Sequence, residues 1–172
     1  MKRRDVFALP AIPLLVLALL GVNAIAQQAA LKGQLAGAWA LVSEDSVVSN
    51  GTKEQFYGPN PKGILILDAS ERYALVQGSP DRPKLKSASR SDLNATDDEL
   101  KALLRGFASN MGTWSVNDAD KTLILRSEAA LIPNNEGAEF KNTINLVGDE
   151  LTLTRTSPVT GSKTNVVYRR AK

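Results

Sequence analysis

Apolar and polar residues alternate in short runs along most of the chain beyond residue 34, which is typical of strands with one buried face. Glycine, proline, asparagine, aspartate and serine separate the runs and mark turns. Eight strands are predicted, over residues 35–48, 63–68, 72–77, 113–117, 122–128, 138–147, 150–156 and 164–170. All six prolines beyond residue 26 fall between these strands, where a residue without a backbone N–H interrupts no ladder.

The segment between the third and fourth predicted strands departs from this alternation and predicts a helix. Thr96 and Glu99 form a capping-box pattern, in which each side chain accepts a hydrogen bond from the other residue's backbone N–H. Apolar residues then recur at helical spacing, at Leu100, Leu103, Leu104, Phe107 and Met111. We therefore predict a helix over about residues 97–109 with one buried face.

Tight turns make neighbouring strands antiparallel, and eight such strands close readily into an up-and-down barrel. The predicted fold class is therefore an all-β, eight-stranded antiparallel barrel with one helix inserted after the third strand. A β-sandwich is the alternative architecture. The interior of an eight-stranded barrel either fills with side chains or holds one small ligand.

The first 26 residues have the composition of a secretory signal peptide. A basic start is followed by an apolar stretch over residues 11–20 and by a small-x-small cleavage pattern that ends at Ala26. We expect cleavage after Ala26 and one barrel domain over residues 27–172, in the periplasm or secreted. An uncleaved anchor is the alternative, but Pro10 and Pro13 interrupt a run shorter than the roughly 20 residues that span a bilayer. The paired basic residues Arg3 and Arg4 leave the general and the twin-arginine export routes open.

Composition removes several classes of function. The chain has no cysteine and no histidine, so an exported domain has no disulfides and lacks the usual metal ligand and general base. Ser-His-Asp, Cys-His and zinc-hydrolase sites are thereby excluded. The net charge of +3 falls to +1 beyond residue 26, which gives no electrostatic case for nucleic acid. We expect no cofactor, no metal, no nucleic-acid partner and no integral membrane span after cleavage.

Several segments of the chain are weak evidence of family membership when taken singly, but their combination is specific. It comprises residues 35–43, which include Gly37-Ala38-Trp39, and residues 57–66, 72–73, 80–84, 112–116, 133–137 and 148–153. Together they resemble the lipocalin-like domain family of bacteria and fungi. The resemblance implies a barrel with a helix near one mouth, and lipocalins at large bind small apolar molecules. It also implies that Trp39 packs under an arginine of the last strand, a role that Arg169 and Arg170 both fit.

The alternation also predicts which side chains point into the barrel. Gly37 and Trp39 are expected to close one end, and Arg155, which shares a strand face with Leu153, is expected at the opposite mouth. The predicted ligand-binding set is Tyr73, Trp114, Phe140, Leu153, Arg155 and Tyr168. Core packing and, for Arg155, a solvated strand end remain the alternative roles of these residues.

Three classes of function remain open. The leading hypothesis is an exported binding protein for a small hydrophobic or amphipathic molecule held inside the barrel. The alternative is a barrel enzyme (a cyclase, isomerase or dehydratase) acting on a secondary metabolite through an inward tyrosine or carboxylate with a perturbed pKa. A protein-interaction module would instead show a filled interior and an exposed apolar patch.

Overall fold

The computed structural model describes residues 31–48, 50–85, 94–157 and 160–172, and their strands form one antiparallel sheet. The strands are β1 (Gly37–Val47), β2 (Lys53–Glu54), β3 (Lys62–Leu67), β4 (Arg72–Gly78), β5 (Phe107–Asn117), β6 (Thr122–Ala130), β7 (Glu139–Val147), β8 (Glu150–Thr156) and β9 (Lys163–Arg170). Helix α1 (Asp97–Arg105) lies between β4 and β5, and a 3-10 turn (Pro133–Asn135) follows β6. The signal-peptide prediction falls outside the described residues.

Pairing between the first and last strands closes the sheet into a barrel. The strand order is β1-β3-β4-β5-β6-β7-β8-β9, and β9 pairs again with β1 from Trp39↔Arg170 to Val47↔Lys163. The predicted eight-stranded antiparallel barrel is confirmed, as is the helix after the third long strand. The two-residue strand β2, which was not predicted, pairs only with the end of β1.

The predicted helix is too long at its C-terminal end. The capping box of Thr96 and Glu99 forms as expected, but α1 ends at Arg105 and Gly106 caps it. Phe107 and Met111, predicted on its buried face, belong instead to β5, whose residues 107–113 pair with the whole of β4. The predicted buried face is wrong as well, because no residue of α1 is buried and Leu104 is 49% exposed.

The turn between β3 and β4 forms without a glycine. The Asp68 carboxylate accepts a hydrogen bond from the backbone N–H of Ser70 over 2.8 Å, and Glu71 takes the left-handed conformation with φ 68°. That conformation is costly for a residue with a side chain. The Glu71 backbone carbonyl is held by the N–H of Trp114 at 2.8 Å, and the Glu71 carboxylate pairs with Lys32.

Helices in the described part of the chain are too short or too polar to cross a membrane.

Candidate functional site

One end of the barrel is closed by Trp39 and Arg170. The Trp39 side chain is fully buried, and its indole Nε1 donates a hydrogen bond to the Leu35 carbonyl at 2.8 Å. The Arg170 guanidinium lies 4.2 Å from the centroid of the Trp39 ring and donates to the Ala36 carbonyl. Arg169 points away and faces Glu150 at 3.9 Å. Of the two arginines that the resemblance allowed, Arg170 therefore stacks on Trp39.

Trp114 and Tyr73 lie at this same closed end. Trp114 Nε1 donates to the Asp68 carbonyl at 2.8 Å, in the β3–β4 turn, and Lys32 lies 5.7 Å from the ring centroid. Tyr73 pairs with Gly112 two residues before Trp114, and its side chain is 3% exposed. Both side chains point inward, as expected. The structure nevertheless corrects their predicted place on the cavity wall, because both pack into the floor beside Trp39.

The other half of the barrel holds an internal cavity of about 50 Å³. It contains four of the six predicted ligand-binding residues, namely Phe140, Leu153, Arg155 and Tyr168. The remaining lining residues are Glu44, Leu65, Leu75, Gln77, Asn110, Leu125, Asn142 and Val166. The apolar members form one part of the wall, and each of six strands contributes at least one polar side chain. Such a mixed lining suits a molecule with one apolar and one polar part.

Glu44 is the residue of this site that sequence reasoning missed. In an unbroken strand with Trp39 and Leu41 facing inward, Glu44 would face the solvent. The pairing of β1 with β9 shifts register between Leu41 and Ser43, and a bulge moves every later side chain to the opposite face. Glu44 is consequently only 8% exposed.

The buried carboxyl group belongs to a small polar cluster. Burial raises the pKa of Glu44, and the positive charge of Arg155 and a hydrogen bond from Gln77 partly offset that rise. Gln77 Nε2 also donates to the Tyr168 hydroxyl at 2.9 Å. Burial, reinforced by the nearby Glu44, likewise raises the pKa of Tyr168. At neutral pH Tyr168 is therefore neutral, and it lies beside the Glu44 carboxyl group, which releases its proton less readily than an exposed glutamate does.

Arg155 lines the cavity from a position near the end of β8. Its side chain is partly in solvent, and its guanidinium lies 5.6 Å from the centroid of the Phe140 ring. A cation over an aromatic face is held in place without using its hydrogen-bond donors. The hydrogen-bond donors of the planar Arg155 guanidinium therefore remain available to a ligand.

Tyr57 covers the same end of the barrel from the segment between β2 and β3. It is 8% exposed, although its neighbour Phe56 is 55% exposed. Burial and the charge of Glu44 raise the pKa of Tyr57 to about 12, against the opposing effect of Arg155. Its phenol group therefore stays neutral, and it lies close enough to Glu44 and Arg155 for their charges to affect its pKa.

Replacing Glu44 with glutamine is expected to stabilise the protein at neutral pH. The pKa of Glu44 in the folded protein lies above the ordinary 4.5. The protonated carboxyl group therefore stabilises the folded state below pH 4.5, and this contribution is lost as the pH rises through the folded pKa. We expect a gain of about 1 kcal/mol for Glu44→Gln at neutral pH, measured by urea unfolding, and no gain below pH 4.5. Exposed Glu54→Gln is the control, and an equal gain in that variant would contradict the assignment.

Among the described residues, no group of three or more acidic side chains is placed to hold a metal ion. Several carboxylates pair with basic residues on the outer surface, as Glu128 does with Arg72 at 2.7 Å across β5. Among the described residues, Glu44 and Arg155 are the charged residues that line the cavity.

The chain is similar to a known protein family and to solved structures. Two solved β-barrels are similar in fold: a redesigned β barrel (TM-score 0.41, 12% identity, covering 82% of this chain and 95% of that one) and a de novo designed fluorescence-activating β barrel (TM-score 0.39, 13% identity, covering 80% and 94%). No curated protein sequence matches the chain. Residues 36–170 match the family model described as a lipocalin-like domain. This range runs from the start of β1 to the end of β9, and the chain belongs to the lipocalin-like domain family.

Proposed function

We propose that this protein is an exported binding protein that holds a small amphipathic molecule inside its barrel. The observation that supports binding is the cavity, which has leucine, valine and phenylalanine side chains on one part of its wall and Glu44, Gln77 and Arg155 on another. A lipocalin-like barrel suits such a task. Export is supported by the signal-like sequence of residues 1–26.

The size of the cavity limits the ligand. Pockets for drug-sized molecules measure roughly 300–1,000 Å³, whereas this one measures about 50 Å³. The ligand is accordingly small, or only its head group enters while the remainder displaces the cover that Tyr57 provides. The short, exposed strand β2 and the loop after it are the part of the mouth that can move at least cost, because β2 pairs with only two residues of β1.

A second candidate function is proton-transfer catalysis by a barrel enzyme. The observation that favours it is Glu44, a buried carboxyl group with a raised pKa that lies in a cavity with Tyr168 and Arg155. Groups with this combination of features occur often at catalytic sites. Binding comes first in either case, so the same ligand test applies to both candidates.

A bulky side chain placed inside the cavity should abolish binding. Val166 lines the cavity, while its neighbour Val167 lies on the opposite face of β9. We expect calorimetry to detect pentanol binding to the unmodified protein and to Val167→Phe, and to detect none with Val166→Phe. Native mass spectrometry of protein isolated from the exporting cell should show the natural ligand lost in the same variant.

Equal binding by the two variants would place the ligand outside the barrel. Failure of every short amphipathic probe to bind the unmodified protein would remove the support for a carrier. The interaction-module hypothesis would then be favoured, since Ile66, Val76 and Met111 expose apolar side chains on adjacent strands of the outer surface.

A further inference from the structure

Two opposite charges share the cavity without forming a pair. Glu44 and Arg155 both line it, and the positive charge of Arg155 opposes the rise that burial causes in the pKa of Glu44. Among the described residues, however, neither of them forms a salt bridge with the other or with any third residue. Buried charges in proteins are usually paired. Glu44 is buried whereas Arg155 reaches the solvent, so it is the carboxylate that calls for a partner from outside the chain.

The register of the strands explains why the two side chains do not meet directly. Glu44 on β1 pairs with Val166 on β9, and Val166 pairs with Leu153 on β8. Arg155 is the next inward-facing residue after Leu153 and lies nearer the mouth. Glu44 is 8% exposed whereas Arg155 is exposed, so the carboxylate is the deeper group and the guanidinium the shallower one, and β9 lies between their strands.

A third polar group faces the same space. The Asn110 side-chain oxygen is buried and has no hydrogen-bond partner among the described residues, and Asn110 lines the cavity with Glu44 and Gln77. An unpartnered buried acceptor costs free energy until a donor reaches it. The deep polar part of the cavity therefore offers acceptors, Glu44 and Asn110, whereas the mouth offers the donors of Arg155.

We propose that the cavity binds a zwitterionic molecule of the amino-acid type, with its ammonium group at Glu44 and Asn110 and its carboxylate on Arg155. This inference rests on the proposed binding function and adds the class of ligand. Only a zwitterion satisfies both charges at once. A fatty acid leaves Glu44 facing a second anion, an amine brings a second cation beside Arg155, and an alcohol leaves both charges unpaired.

The apolar wall fits the side chain of such a ligand. Leu65, Leu125 and Leu153 are each at most 5% exposed and line the same cavity as the polar groups. An amino acid with a short unbranched side chain can place its alkyl group against these leucines while its charged groups span from Glu44 to Arg155. The small volume of the cavity favours such a compact ligand over a long-chain lipid.

The test compares four probes of one chain length: norvaline, 2-hydroxypentanoate, pentanoate and pentylamine. Calorimetry at neutral pH should show that norvaline binds tightest to the unmodified protein. Glu44→Gln should weaken norvaline binding by roughly 30-fold or more, as expected for truncating one partner of a buried charge pair, and should leave pentanoate binding unchanged or improved. Arg155→Met should weaken norvaline and pentanoate but not pentylamine. Exposed Glu54→Gln is the matched control and should bind all four probes as the unmodified protein does.

The outcomes separate this inference from the proposed function. If pentanoate or 2-hydroxypentanoate binds the unmodified protein as tightly as norvaline, or if Glu44→Gln leaves norvaline binding unchanged, the zwitterion assignment is overturned while the binding function stands. If none of the four probes binds, both proposals fail together. Circular dichroism of each variant verifies that the barrel is intact.

Discussion

Replacing Trp39 with alanine is expected to lower the free energy of unfolding by about 3–5 kcal/mol, as for other fully buried tryptophans. The change leaves a void in the closed end of the barrel and leaves the Leu35 carbonyl without the indole donor. It also removes the ring on which Arg170 stacks. Urea unfolding followed by circular dichroism measures the loss.

Ile66→Ala is the control for this prediction. Ile66 is adjacent to Leu65, the residue that pairs with Trp39, but its side chain faces outward and is 40% exposed. Its truncation should cost much less, about 1 kcal/mol or below. Because Trp114 lies at the same closed end, Trp114→Ala should also act mainly on stability rather than on ligand binding. If Trp39→Ala lowered the free energy of unfolding no more than Ile66→Ala does, packing at the closed end would not be a main source of the stability of the fold.

Gly112→Ala is expected to be among the most damaging single substitutions in the barrel. A β-carbon at Gly112 would lie 1.9 Å from the Arg126 carbonyl oxygen and 3.0 Å from the Glu128 nitrogen. Both contacts are with backbone atoms of β6, so the clash requires the two strands to separate at the register shift between Met111 and Gly112. We expect a loss of about 3 kcal/mol or more, seen as a lower melting temperature or as insoluble protein.

Gly33→Ala provides the opposite case for comparison. Gly33 lies in a helical stretch over residues 31–35, and a β-carbon there meets nothing within 4 Å. Alanine in such a position is expected to be neutral or to stabilise by up to about 1 kcal/mol. If both substitutions were tolerated equally, the close contact between β5 and β6 at Gly112 would not be a constraint on the fold.

The strands were predictable from the sequence because their pattern is local. Alternating residues, turn residues and the positions of the prolines suffice to find the eight long strands, and for β8 the predicted bounds of 150–156 are those observed. They miss the two-residue β2 and the first six residues of β5, which was predicted as 113–117. The end of α1 was not predictable in this way. Phe107 and Met111 are four residues apart, which suits a helix, yet pairing of this segment with β4 outweighs that local preference. Gly106, which caps the helix, was the available signal.

The interior site was only partly predictable, because alternation gives the face of a side chain but not its depth. Trp114 and Phe140 both point inward and both pair with Leu125, but Trp114 bonds to the β3–β4 turn whereas Phe140 lines the cavity. Glu44 was hidden for a different reason. A bulge reverses the alternation in β1, and no residue type in this segment marks where the bulge will form.

Barrel closure between β1 and β9 has a consequence for how the protein is made. Contacts such as that between Ser46 and Thr164 join residues 118 positions apart, so they form only after nearly the whole chain has been synthesised, and the entropy cost of closing such a long loop slows folding. Until β9 arrives, β1 and β8 each present an unpaired strand edge, and open edges of this kind promote aggregation. Chains interrupted shortly before residue 163 are therefore the form of this protein most prone to self-association.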